Sequence, residues 1–235
     1  MKKKKLIVLL TAFSMVFGLA ACGDNASVEV DDGQKTVEEE ADSNTSDVTT
    51  DTENYGEITE ELVRNHKVTS VSDFEYGPEG SDGIRISKYL GTDTIVVIPE
   101  EIDGKKVVAV SNIFWNDSSV QGVLIPSTVK EIGALFANNK NIEVVIAEGL
   151  EVLGQAALGN CDKLHTVIFD ESLKEIETAA IMFDPALKEL YIPESVETIP
   201  PYELTDLTDC TIKGKSGSYI ETHCSEYGIK FEAVD

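Results

Sequence analysis

Few residues of this 235-residue chain could do chemistry: four cysteines and three histidines stand out among its polar side chains. Gly214-Lys215-Ser216 imitates the end of a phosphate-binding loop, whose glycine-rich turn cradles phosphate and whose lysine meets its charge. Such a loop needs a glycine five places before Gly214, and Asp209 stands there, so the triplet reads as a turn. Cys161 with His165, and His223 with Cys224, could be gathered as a zinc set, but their spacings match no standard finger. No serine sits in a nucleophile-elbow pattern. The expectation is no catalytic residue, no metal and no cofactor. Cys161 reads as a corner residue, Cys210 as an inward strand residue and Cys224 as the core face of a helix. A Cys210–Cys224 disulfide stays open as an alternative in an oxidising compartment. Cys22 is different, because it ends Leu19-Ala20-Ala21-Cys22 directly after an apolar run.

The elements that must position these residues come from an internal repeat. VLIPSTVKEIG (123–133), VVIAEGLEVLG (144–154), VIFDESLKEIE (167–177) and LYIPESVETIP (190–200) share one pattern. Aligning Ile125, Ile146, Phe169 and Ile192 gives a period near 23, which is a solenoid signature. The alternation in Leu164, Val167, Phe169 and in Leu187, Leu190, Ile192 turns side chains inward along a short strand. Pro126 and Pro193 end that strand, since proline lacks the ladder donor. A second apolar pair follows, Val129 with Ile132 and Val196 with Ile199, on a second face. One such coil cannot bury its own apolar edge, whereas stacked coils share a core. Alignment on Ile146 places deletions in the first full coil after Ile132 and between Ile142 and Ile146.

The ends differ from the middle. Val71–Tyr76, a turn-rich stretch over 77–83, and Ile84–Tyr89 predict an N-terminal hairpin. Asp103-Gly104 predicts a tight turn before Val107–Val110. Ser218 can cap a helix to Tyr227, with Ile220, Cys224 and Tyr227 at helical spacing and Gly228 as its left-handed stop. Ile229–Phe231 then supplies a last strand.

Charge and composition divide the chain further. Lys2–Lys5 and the apolar Leu6–Leu19 read as a signal peptide, because about 14 apolar residues fall short of the roughly 20 that span a bilayer. Residues 23–57 hold twelve Asp and Glu and one Lys. That stretch cannot bury enough apolar surface to order itself and reads as a disordered tether. The expected layout is 1–21 signal peptide, 22–57 tether, and 58–235 repeat domain. The domain divides into cap and first coil (58–110), repeats (111–212) and C-terminal cap (213–235). The formal charge is −24, so nucleic acid is an unsuitable partner.

Two resemblances add to this reading. Leu19-Ala20-Ala21-Cys22 resembles the bacterial lipoprotein lipobox, which implies a diacylglyceryl group on Cys22 and a lipid anchor in the membrane. Residues 73–235 resemble the BspA-like leucine-rich repeat, also called the Treponema pallidum variety. The residues that carry it are Leu187 to Pro193 with Val196 and Ile199, Ile95 to Gly104 with Val107, and the end segment GSYIETHCSEYGIKF (217–231). The resemblance implies a mainly β solenoid: a leucine-rich repeat array of about 23-residue coils with short parallel strands, a hairpin cap and a helix-strand cap. It also implies a cell-surface adhesion or interaction protein, extracytoplasmic and lipid-anchored, with an unknown protein or surface ligand. An architectural envelope protein without a ligand is the competing reading. A solute-binding lipoprotein would need two lobes and a cleft.

One candidate interaction site follows from the repeat. The outward position before the last apolar residue of each first strand is Val97, Leu124, Val145, Ile168, Tyr191 or Thr211. Stacked at about 4.7 Å, these would form an apolar ladder. The second strands carry Lys130, Glu131, Glu151, Lys174, Glu175 and Glu197 instead, a charged face.

Overall fold

The computed structural model describes residues 56–116 and 119–234; Cys22, the signal peptide and all but the last two residues of the tether lie outside them. A short helix, α1 (Glu60–Asn65), opens the described chain. Thr59 caps it by accepting the Leu62 N–H, with Glu60 and Glu61 in the positive first turn. Apolar spacing predicts no element here, although Thr followed by two acidic residues is a helix-start signal.

The hairpin follows, as β1 (Phe74–Glu79) antiparallel to β2 (Gly83–Tyr89). Its limits differ from expectation. Val71–Asp73 forms a 3₁₀ turn, and β1 runs on through Gly77-Pro78. An edge strand tolerates a proline because that N–H has no ladder partner to serve. The turn narrows to residues around Gly80, whose φ is 62°. β3 (Ile95–Val97), β4 (Glu101–Ile102) and β5 (Lys105–Val110) come next. Asp103 and Gly104, at φ 53° and 74°, join β4 to β5 as the tight turn the sequence predicts.

The coils then alternate long and short strands: β6 (Gly122–Ile125), β7 (Glu131–Ile132), β8 (Val144–Ala147), β9 (Val152–Leu153), β10 (Thr166–Phe169), β11 (Glu175–Ile176) and β12 (Glu189–Tyr191). The array closes with β13 (Thr211–Lys215), α2 (Tyr219–Tyr227) and β14 (Phe231–Val234). β3, β6, β8 and β10 form one parallel sheet, β7, β9 and β11 a second, and β12, β13 and β14 a third. The whole is a β-solenoid of about seven turns with about 22 residues each.

The register corrects the alignment drawn from sequence. Ile125 pairs with Ala147, not Ile146, and Leu124 pairs with Ile146. Ala147 is the inward residue, 1% exposed. The residue missing from this coil is lost after β8, at Gly149, where φ is 69° and a Cβ would lie 2.8 Å from the Ser127 backbone. Between Ile132 and Phe136 the coil is also one residue short, as expected. Its longer neighbours place Ala156, Ala179 and Tyr202 in the left-handed region at that corner.

Inward side chains make one continuous core from Phe74 to Cys224. Aromatic rings link the hairpin to the coils: Phe74 to Tyr89 at 5.5 Å, Tyr89 to Phe114 at 6.0 Å, and Phe114 stacked on Phe136 at 5.5 Å. At the far end α2 buries Ile220, His223 and Cys224 and stops at Gly228, φ 70°. Ser218 stands at its N-cap, but its hydroxyl donates to the Lys215 carbonyl at 2.6 Å. The last strand begins at Phe231 rather than Ile229. Gly214 and Lys215 belong to β13, so the turn starts only at Ser216. A side chain at 214 would meet Ile220 Cγ2 at 2.7 Å, so the glycine lets α2 close on the sheet.

Candidate functional site

The first strands present two faces. Val96, Ile98, Val123, Ile125, Val145, Ala147, Val167 and Phe169 point into the core. Alternation then turns two rows outward: Ile95, Gly122, Val144, Thr166, Glu189 and Thr211, and beside them Val97, Leu124, Ile146, Ile168, Tyr191 and Lys213. The ladder read from sequence therefore contains two misplaced residues. Val145 lies in the core at 0% exposure, and Ile146 takes its place outside. Thr211 belongs to the other row and is 6% exposed, with Lys213 opposite Tyr191. Both errors are one- or two-residue slips, and a one-residue slip sends a side chain to the opposite face.

The N-terminal half of the outward face is covered. Residues 58–65 lie across it as a strap, with Ile58 and Val63 wholly buried against Ile95, Val144 and Ile146, and with Leu62, Leu124 and Ile168 packed at the edge. Full burial of side chains of this size contributes about 1.5–3 kcal/mol each. Gly122 forms the socket: a Cβ there would lie 2.7 Å from Val63 Cγ2 and 3.2 Å from Ile58 Cγ2. Glu143 accepts the Ile58 N–H at 3.2 Å, and Arg64 donates to Glu148 at 2.6 Å and to Glu60 at 2.7 Å. The hydrogen bond to Glu60, more than that to Glu148, raises the Arg64 pKa above its ordinary value. Beyond the strap, Thr69 bonds both the N–H and the carbonyl of Val97 and so pairs with the edge of β3. That pairing explains why Val97 is buried.

The C-terminal half is open. Ile168 is half-buried and Tyr191 is 37% exposed. The Tyr191 hydroxyl donates to Glu171 at 3.3 Å, and burial followed by that carboxylate raises its pKa. Ion pairs border the patch, Lys213 with Glu189 at 2.7 Å and Lys215 with Glu194 at 2.6 Å. An apolar centre ringed by paired charges offers a contact surface.

The suspected chemical residues have structural surroundings. Lys215 is engaged by Glu194, inside a strand. Cys161, Cys210 and Cys224 are buried and form no disulfide. Burial pushes the thiols of Cys210 and Cys224 up to about 11 and that of Cys161 higher still, which leaves little thiolate for nucleophilic or metal chemistry. Cys161 donates from Sγ to the Phe136 carbonyl at 3.3 Å, a corner role. His223 is buried with Nε2 3.3 Å from the Glu203 carbonyl. Among the described residues no three His, Cys, Asp or Glu side chains are gathered as a metal site. On the second face Lys130 and Lys174 both approach Glu151, at 3.7 and 3.4 Å.

Short parallel strands stacked in coils of about 22 residues, with proline or an acidic residue at one corner and an apolar pair on the next side, define a leucine-rich repeat solenoid. The BspA type leucine rich repeat region matches residues 107–227 in six copies, and the chain belongs to that family. Three crystal structures of leucine-rich repeat proteins are similar to it. That of T. pallidum is 24% identical, covering 63% of this chain and 71% of its own, with a TM-score of 0.42. A leucine rich cell surface protein from Faecalibacterium prausnitzii A2-165 is 19% identical, with coverages of 63% and 55% and a TM-score of 0.35. One from Bacteroides ovatus ATCC 8483 is 21% identical, with coverages of 71% and 41% and a TM-score of 0.48. The chain thus spans about half the length of the latter two. No curated protein matches it.

Proposed function

We propose that this protein is a surface-tethered interaction module, held at the membrane by lipid on Cys22, that binds a protein or cell-surface partner through the open C-terminal half of its first-strand face. The observation that carries the reading is the Ile168–Tyr191 patch. It continues the strip that the strap occupies, and it alone of the two halves is left uncovered. Membership of the BspA-type repeat family and the cell-surface F. prausnitzii relative support a surface role. The lipobox-like Leu19-Ala20-Ala21-Cys22 supports the anchor. Chain layout follows the same proposal: signal peptide to residue 21, tether to 57, repeat domain from 58.

Two substitutions at the open patch test the surface. Ile168→Thr with Tyr191→Lys is expected to cut capture of envelope or host-surface partners at least tenfold while the melting temperature stays near wild type. Equal capture by both proteins removes the patch from consideration. Cys22→Ser is expected to move the protein from the membrane to the soluble fraction, and continued membrane retention rejects the lipid anchor.

A further inference from the structure

At three successive corners of the solenoid a buried side chain bonds the neighbouring coil. Backbone bonds from Asn138 to Gly159 and from Asn160 to Met182 place Asn139, Cys161 and Asp184 at equivalent positions. Asn139 donates from Nδ2 to the Phe114 carbonyl at 3.2 Å, and Cys161 donates from Sγ to the Phe136 carbonyl at 3.3 Å. Both are donors to the preceding coil. The carbonyl in register with Phe114 and Phe136 is that of Leu158.

Asp184 breaks the chemistry of this series but not its geometry. It is 3% exposed, and its Oδ1 accepts the Cys161 N–H at 2.7 Å. Its Oδ2 is buried with no hydrogen-bond partner. A carboxylate has only acceptors to offer, and an unpaired buried charge is far costlier than a buried neutral group. We propose that Asp184 is held as the neutral acid in the folded protein, its Oδ2 proton donated to the preceding coil, at Leu158 by register. The corner is then a proton-dependent latch.

The neighbours favour this state. From the preceding coil Asp162 faces the group, and from the following coil Asp206, whose Oδ2 accepts the Phe183 N–H at 2.9 Å. Asp209 and the Cys210 thiol line the same cleft of about 310 Å³. The cations nearby are engaged, Lys140 by Asp162 at 3.0 Å and Lys188 by Asp209 at 3.8 Å. Burial first, and then Asp206 and Asp162, push the Asp184 carboxyl up to about 7 from an ordinary 3.8, against the lowering effects of the Cys161 N–H and of Lys140.

The sign follows from proton binding. Between the unfolded and folded values the native chain holds a proton that the unfolded chain has released. The contribution of Asp184 to stability therefore falls as pH rises from about 4 to about 7 and levels off above. Full-chain urea midpoints measured from acid to mildly alkaline pH, for wild type and Asp184→Asn, test this. The asparagine keeps a donor at that atom, so the difference between the two proteins should grow in its favour as pH rises, over that window only. Parallel curves overturn the proposal. If the variant does not fold, Asp-selective ¹³C carboxyl titration of wild type decides. One carboxyl resonance should still move near neutrality, and completion of every titration below about pH 5 rules the neutral acid out.

Discussion

Gly122 is the outward residue on which the covered half of the sheet depends. Every other described member of its row has a side chain, from Ile95 to Thr211, and only here does a Cβ collide with Val63. Gly122→Val is expected to lift the strap and to cost about 1–3 kcal/mol, the range for forcing extra carbon into a packed site. Amide exchange at Val63 and His66, with the urea midpoint, reads both effects. Val63 and His66 carry the helix-turn bonds to Thr59 and Val63, so they report undocking directly. The socket was invisible in the sequence because a strand glycine usually signals a bulge or weak pairing. What distinguished it was the absent partner, and α1 was not assigned.

At the scale of elements, the repeat, both caps and the hairpin could be read from apolar spacing and turn residues. What the spacing hid was which strands are buried on two sides. Along β3 (Ile95-Val96-Val97) and β8 (Val144-Val145-Ile146-Ala147) every residue of a continuous apolar run is buried, whereas burial alternates along β10 and β12. A continuous run is the mark of a strand covered on both faces, and here it traces the strap's footprint. The same run caused the slip at Ile146, because alignment by hydrophobicity prefers isoleucine to the small Ala147 that actually faces the core. Val63→Asp tests the footprint from the other side. A charge over the socket is expected to undock α1, raise apolar-dye binding and promote self-association, while the Thr69–Val97 pairing keeps β3 in place. Unaltered dye binding and a monomeric profile are the contrary result. The proton at Asp184 could not be anticipated either, since an acidic residue at a corner reads as an acceptor cap until its burial is known.

As a whole molecule the solenoid adds coils along one axis, but the described chain does not enter at an end. Residues 58–65 cross the sheet at β3, β6 and β8 before the chain turns back to pair Thr69 with the β3 edge and build the hairpin. Everything N-terminal of residue 56, Cys22 included, is therefore connected through the strap. A pull on the N-terminus acts first on Ile58, Val63 and the Arg64–Glu148 pair, and only afterwards on the coils. Released, the roughly ten residues from 58 to 68 would extend by up to about 3.3–3.6 Å each. Single-molecule extension from the N-terminus is expected to show this short, low-force step ahead of unfolding, and Gly122→Val should abolish it. Load on the N-terminus would then bare Ile95, Val144 and Ile146 next to the Ile168–Tyr191 patch, so that tension enlarges the exposed apolar area while the repeats stay folded.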